Sequence, residues 1–228
     1  MSMLSGARDR FIIGDNEFGL RPDLSLVASM IEPETRLLDV GCDDGALLEF
    51  LVKQKGCDGR GMEISQAGVN ACVARGLPVV QGDADDHLID YPDDSFDYVI
   101  LSHTMQAVHN PREVLHQLLR IADTAIVSIL NYGHWRARMS MVMRGRMPHT
   151  RALSQPWFET ANIRPCTVRD FQDLIRISGI KVGRAYGLSK EREVSVIKPG
   201  FEGQSNLFAE QAVFELLRPE KPKGKRRR

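Results

Sequence analysis

One stretch constrains this chain more than any other: Leu37-Leu38-Asp39-Val40-Gly41-Cys42-Asp43-Asp44-Gly45, an apolar run that breaks on an acid and two glycines. Ala46-Leu47-Leu48-Glu49-Phe50-Leu51-Val52 follows with the apolar spacing of a helix. Strand, glycine turn and helix in that order commit a chain to parallel α/β packing, because the helix must cross one face of the sheet before the next strand begins. The same order presents backbone N–H groups to an anionic ligand. The spacing here is G-x-D-x-G rather than G-x-G-x-x-G, and Asp43 and Asp44 put two carboxylates at the turn. They would repel a pyrophosphate. A zwitterionic amino acid, with its ammonium group meeting Asp39, suits the turn better.

The remaining pattern agrees with a sheet covered on both faces. Leu24, Leu26, Val27, Met30 and Ile31 suit one face of a helix opened by Pro22, and Arg36 to Val40 reads as the first strand. Further strands are expected at 59–64, 77–81, 96–102 and 124–130. Helices are expected from the Ser65 cap to Arg75 and from Asn110-Pro111 to Ile121. Beyond Leu130 the pattern changes. Trp135, Met139, Val142 and Met143 recur at helical spacing among arginines, and residues 147–165 are irregular. Such methionines more often belong to a core, although interleaved arginines also suit a partner surface. Thr167-Val168-Arg169-Asp170 reads as a capping box for a helix ending near Gly179. Ile180 to Leu188 and Val194 to Ile197 read as a closing antiparallel hairpin, and Asn206 to Leu217 as a last helix. The domain expected is 20–198, with 1–19 a loose lead-in and 199–228 a helix plus the basic run Lys221-Pro222-Lys223-Gly224-Lys225-Arg226-Arg227-Arg228, a solvated tail.

Charge and cysteines narrow the function classes. Lysine plus arginine equal aspartate plus glutamate at 30 each, so no global field favours nucleic acid or a membrane. Cys42, Cys57, Cys72 and Cys166 show no CxxC pair and no histidine at ligand spacing, which argues for small buried hydrophobes and against a metal site. With no apolar run long enough to span a bilayer, the expectation is a cytoplasmic protein.

Four strand ends place polar or small residues on one rim: Asp39 with Gly41 and Gly45, Glu63, Asp83, and Ser102-His103. Glu63 lies about 20 residues beyond the turn, where an acid can accept hydrogen bonds from both hydroxyls of a ribose. The plain alternative is an exposed acid before a helix N-terminus. Asp83, beside Ala84, either meets an adenine amino group or caps a turn. An ammonium partner, a ribose and an adenine together make S-adenosylmethionine the leading ligand. His103 and His109 flank the mouth after the fourth strand and are candidate bases, against the commoner outcome of backbone-bonded histidines. His116 falls mid-helix and reads as structural.

Leu38-Asp39-Val40-Gly41, Gly45, Glu63 and Asp83 resemble the motifs of class I S-adenosylmethionine-dependent methyltransferases. Longer runs narrow this: Arg21-Pro22-Asp23-Leu24, Phe96 to Ser102, Ile126-Val127-Ser128, Asn131-Tyr132-Gly133-His134-Trp135-Arg136, Gly145-Arg146-Met147-Pro148, Trp157-Phe158 and Thr160-Ala161-Asn162-Ile163 to Cys166-Thr167 and Asp170-Phe171. Over about residues 20–185 the chain resembles the methionine biosynthesis protein MetW family. The resemblance implies a Rossmann-like doubly wound fold, a mostly parallel sheet of about seven strands with an antiparallel C-terminal hairpin. It carries cofactor contacts onto Asp39, Gly41, Cys42, Asp43, Gly45, Glu63, Ile64, Asp83, Ala84 and Ser102.

The family is linked to acylation of homoserine and is thought to act with a MetX-type homoserine O-acyltransferase. The expected contact region is Asn131 to Cys166, and no methyl acceptor is implied. The competing reading is a free-standing small-molecule methyltransferase. A dinucleotide oxidoreductase fits the motif spacing poorly. Aspartate stands at 43 where the family's turn carries glycine. It tolerates the left-handed region better than most residues, so the expectation is a preserved turn with reduced cofactor affinity.

Overall fold

The computed structural model describes residues 10–14, 18–190, 192–198 and 202–218. The basic run 221–228 lies outside them. Five strands form the parallel half of the sheet: β2 (Arg36–Val40), β3 (Asp58–Glu63), β4 (Val79–Gln81), β5 (Phe96–Ser102) and β6 (Ala122–Leu130). Three of the connecting helices are α2 (Ala46–Lys55), α3 (Gln66–Ala74) and α5 (Pro111–Ile121). A short α4 (Ala84–His87) follows β4, and α1 (Pro22–Met30) precedes the sheet. The strand order β4-β3-β2-β5-β6 reverses direction between β2 and β5, which places a crevice at the carboxyl ends of those two strands.

Strand residues alternate between two cores, as the pleat requires. Leu38, Val40, Val99, Leu101, Val127 and Ile129 join α5 in one cluster, whereas Leu37, Ile100 and Ile126 join α1 and α2 in the other. Asp39 shares parity with Leu37 and is therefore aimed at the α1–α2 side.

The C-terminal half departs from the sequence expectation in three places. First, the hairpin of β7 (Lys181–Leu188) and β8 (Glu193–Val196) is present and antiparallel, but it does not adjoin β6. The segment expected as a last helix is instead a short α8 (Glu202–Phe208) followed by a strand, β9 (Gln211–Leu217). That strand inserts between β6 and β7, antiparallel to both. Ala212, Val213, Phe214 and Leu216 are all buried, so a strand covered on both faces presents the same unbroken apolar run as a buried helix. Second, the lead-in contributes β1 (Arg10–Ile12), an edge strand antiparallel to β8. Its three residues are exposed, which is why no periodicity marked it. The sheet of described residues thus has nine strands, in the order β1-β8-β7-β9-β6-β5-β2-β3-β4.

Third, α6 (Trp135–Arg144) lies on the surface. Ala137 is its one buried residue, while Trp135, Met139, Met141, Val142 and Met143 are exposed, which corrects the core reading of that stripe. The helix that follows, α7 (Val168–Ile177), carries the expected capping box: Thr167 accepts from the Asp170 N–H, and the Asp170 side chain accepts from the Thr167 N–H. Cys42, Cys57 and Cys72 are buried as free thiols, whereas Cys166 is only partly so. No described helix is long and apolar enough to cross a membrane.

Candidate functional site

The crevice at the β2–β5 switch is built on the turn from Gly41 to Gly45. Gly41 and Gly45 have φ of 73° and 77°, and Asp43 also sits in the left-handed region at 52°. A side chain at Gly45 would collide with Leu77 and Cys72, so this position needs glycine for space as well as for φ. Thr104, just past β5, fills the place a Cβ at Gly41 would take, and this brings the two strand ends together.

The turn is not an anion cradle. The N–H groups of Gly41 and Cys42 both donate to the Met62 carbonyl, at 2.7 and 3.2 Å, and that of Gly45 donates to Cys42 at 2.8 Å. The Asp43 N–H donates to Glu63 Oε2 at 3.0 Å, and the Ala46 N–H to Asp44 Oδ1 at 3.1 Å. Arg75 pairs with the other oxygen of Asp44 at 2.8 Å. Five amides of the turn, those of Gly41, Cys42, Asp43, Gly45 and Ala46, are thus engaged within the protein.

Asp39 is the contrast. It is 2% exposed, and no donor reaches its carboxylate among the described residues. Burial, and secondly the nearby Glu63 carboxylate, push its pKa up to about 7. A buried carboxyl group beside a second acid has the chemistry to favour a cationic partner over an anionic one. Glu63 itself is 8% exposed and uses both oxygens, accepting from Asp43 and, at 2.8 Å, from the Ser65 N–H. It therefore ties the glycine turn to the cap of α3, and its remaining lone pairs stay available to ligand hydroxyls.

The structure gathers Asp39, Gly41, Cys42, Asp43, Gly45 and Glu63 around the turn, as the sequence reading expected. The others sit less uniformly. Ile64 is 62% exposed beside Glu63, an apolar surface at the rim. Asp83 caps α4 by accepting from the Asp85 N–H at 2.9 Å, and Ala84 is buried in the core. Ser102 bonds Ser128 at 3.1 Å between parallel strands.

The histidines divide. His109 is an exposed side chain held by Asp85, which also accepts from the backbone N–H of His109 and of Asn110. That is a loop staple. His103 has φ of 57° and places Nε2 3.5 Å from the buried Asp23 carboxylate. Burial lowers its pKa, only partly offset by Asp23, so the ring is neutral at pH 7.

Sequence reasoning passed over Asp23, Asp85, Thr104 and Gln211 as site-forming residues. Asp23 stood in a family-specific run but read as a helix opener, and Gln211 fell in the segment taken for a helix. The block from Asn131 to Cys166 splits into two roles. Asn131 is 2% exposed, donates to the carbonyls of Asn206 and Ala209, and accepts from Gly133 and Val168. Gly133 leaves no room for a Cβ against Asn206 and Asn131, and His134 caps α6 by accepting from the Arg136 N–H. Those residues are architecture. Trp135, Met139, Val142, Met143, Met147, Trp157, Phe158 and Ile163 are exposed apolar side chains among arginines.

A family model described as methionine biosynthesis protein MetW matches residues 21–216. A bifunctional methionine biosynthesis protein MetXA/MetW from Rhodopirellula baltica is 32% identical over 169 residues, 70% of this chain and 27% of that protein. An ajmaline N-methyltransferase from Rauvolfia serpentina is 30% identical over 115 residues, 45% of this chain and 39% of that enzyme. The chain thus spans well under half the length of both. Among solved structures, an S-adenosylmethionine-dependent methyltransferase from Thermotoga maritima has a TM-score of 0.64 at 20% identity, covering 87% of this chain and 88% of that one. Another, from Mesorhizobium loti, has a TM-score of 0.63 at 15% identity, covering 88% and 100%. At such identities the likeness concerns the fold, which is the Rossmann-like class I methyltransferase architecture. Because the family match runs from the approach to α1 nearly to the end of β9, the chain belongs to the methionine biosynthesis protein MetW family.

Proposed function

We propose that this protein is an accessory partner of a MetX-type homoserine O-acyltransferase, and that it carries a pocket for S-adenosylmethionine. The observation that carries the partner role is the surface of α6 and the loop after it. Val142 and Met143 on α6 are 81% and 72% exposed, and Trp157 and Phe158 on the following loop are 71% and 68% exposed. Apolar groups of this size on a surface otherwise rich in arginine are characteristic of a protein contact. The bifunctional relative supports the pairing, since this chain matches only 27% of its length.

Buried, donor-free Asp39 supports the ligand. In this reading Asp39 holds the ligand's ammonium group, Glu63 accepts from the ribose hydroxyls, and exposed Ile64 packs against the adenine. Asp83 and Ala84 lie at the adenine edge, while the turn from Gly41 through Cys42 and Asp43 to Gly45, with Ser102 on the next strand, frames the amino-acid end. The acidic surroundings favour a cationic ligand over a dinucleotide. Bound S-adenosylmethionine supplies an activated methyl group, and in an accessory subunit it also reports the level of a pathway product.

The test uses the full chain and its cognate acyltransferase. Co-purification and a raised acyltransferase rate are expected, and the double variant Val142→Glu, Met143→Glu should lose both while keeping its melting temperature. No complex and no change in rate would overturn the partner role. Release of S-adenosylhomocysteine that depends on a defined acceptor would replace it with methyl transfer.

A further inference from the structure

A second cavity, of about 640 Å³, opens beyond His103 between the start of α1, the ends of β5 and β6, and the irregular loop that follows α6. This is the size of a ligand site. None of its lining residues is acidic, whereas Arg21 and Arg151 both face it. Arg21 uses two of its N–H groups on Asp23, at 3.3 and 3.1 Å, and keeps the others. Arg151 has no ion pair among the described residues. Tyr132 and Trp157 add flat apolar walls.

At the base of the cavity, His103 Nε2 is buried 3.5 Å from the Asp23 carboxylate and faces the Gln211 side chain. Two acceptors, Asp23 and Gln211, stand on the Nε2 side of the ring, so the proton of the neutral imidazole belongs on Nε2. This leaves Nδ1 as an acceptor. His103 itself adopts the left-handed region, at φ 57°. The cavity thus combines guanidinium groups with an imidazole acceptor.

We propose that this cavity binds a small organic acid carrying a hydrogen-bond donor, a hydroxy or amino acid, with Arg21 and Arg151 on the carboxylate and His103 on the donor. None of the residues proposed above to hold S-adenosylmethionine lines this cavity. It stands whether or not a methyl group is ever transferred.

Three probes dissect the chemistry by calorimetry on the full chain: 4-hydroxybutyrate has carboxylate and hydroxyl, butyrate only the carboxylate, and 1,4-butanediol only hydroxyls. The expected order is 4-hydroxybutyrate tightest, butyrate weaker and the diol without measurable heat. Arg151→Gln should weaken both acids about tenfold or more. His103→Asn, which tolerates the same backbone, should weaken 4-hydroxybutyrate alone. S-adenosylhomocysteine affinity should be unchanged in Arg151→Gln. The proposal is overturned if neither acid binds, if the diol binds as well as the acids, or if Arg151→Gln binds them like the wild type. A parallel loss of S-adenosylhomocysteine would place Arg151 in the adenosyl pocket and overturn it equally.

Discussion

Asp39 sits near the end of a strand, 2% exposed and beside a second acid. Its folded pKa of about 7 lies above the ordinary value of 3.8, so between those limits the folded state holds a proton that the unfolded chain has lost. The stability this contributes is complete below the unfolded value, declines as pH rises, and is gone above about 7. Melting curves for wild type and Asp39→Asn isolate the effect, since other groups titrate alike in both. The wild type should lose stability relative to the variant between pH 4 and about 7. Parallel profiles would show that Asp39 is solvated after all. Ligand affinity should run the other way, because an ammonium partner needs the ionised carboxylate. Asp43 offers a second check at the same turn. Its left-handed backbone costs a residue with a Cβ on the order of 1 kcal/mol more than glycine. Asp43→Gly should therefore raise the melting temperature slightly and tighten S-adenosylhomocysteine binding, and weaker binding in the variant would refute this account of the turn.

At the scale of elements, legibility followed how local the cause was. The bounds expected for β2 and β5 coincide with those observed, and α2 and α5 begin where Gly45 and Pro111, acting through their own backbone, place them. The capping box at Thr167 was legible for the same reason, and Thr167→Ala should cost about 1 kcal/mol in chemical denaturation. Asp39, Gly41, Gly45 and Glu63 were legible as a group because strand ends converge in this fold. Their bonding was not, since the contact of Glu63 with the Asp43 amide depends on how two loops meet. Nor was the difference between the exposed stripe of α6 and a core stripe: helical spacing states that one face is apolar and leaves open what covers it. Asn131 shows how a family-specific residue can be structural. With four hydrogen bonds made from one buried amide, Asn131→Ala should destabilise by about 2–4 kcal/mol, more than any single cap. A cost below that of Thr167→Ala would contradict its role as the joint between the end of β6, the start of α7 and the end of α8.

For the whole molecule, the late strand β9 matters most. The parallel half from β2 to β6 is built from local crossovers, but β6 stays an open edge until residues 211–217 return to pair with it. The same strand is the sole bridge, among the described pairings, to β7, β8 and β1. Its side chains enter both cores: Phe214 and Leu216 on the α5–α7 face, Val213 on the α1–α2 face. Phe214 is fully buried and packs against Phe171 of α7, with ring centroids 5.0 Å apart. Such an arrangement couples the two halves, because neither face can loosen without exposing the other side of the same strand. Phe214→Ala should therefore cost about 3–5 kcal/mol, and the loss should appear in the whole protein rather than its C-terminal third. Far-ultraviolet circular dichroism, which reports mainly the crossover helices, and fluorescence from Trp135 and Trp157 should give one shared urea midpoint in wild type and variant alike. Two separated midpoints would mean that β2 to β6 folds as an independent unit, with the β9 insertion as a later addition.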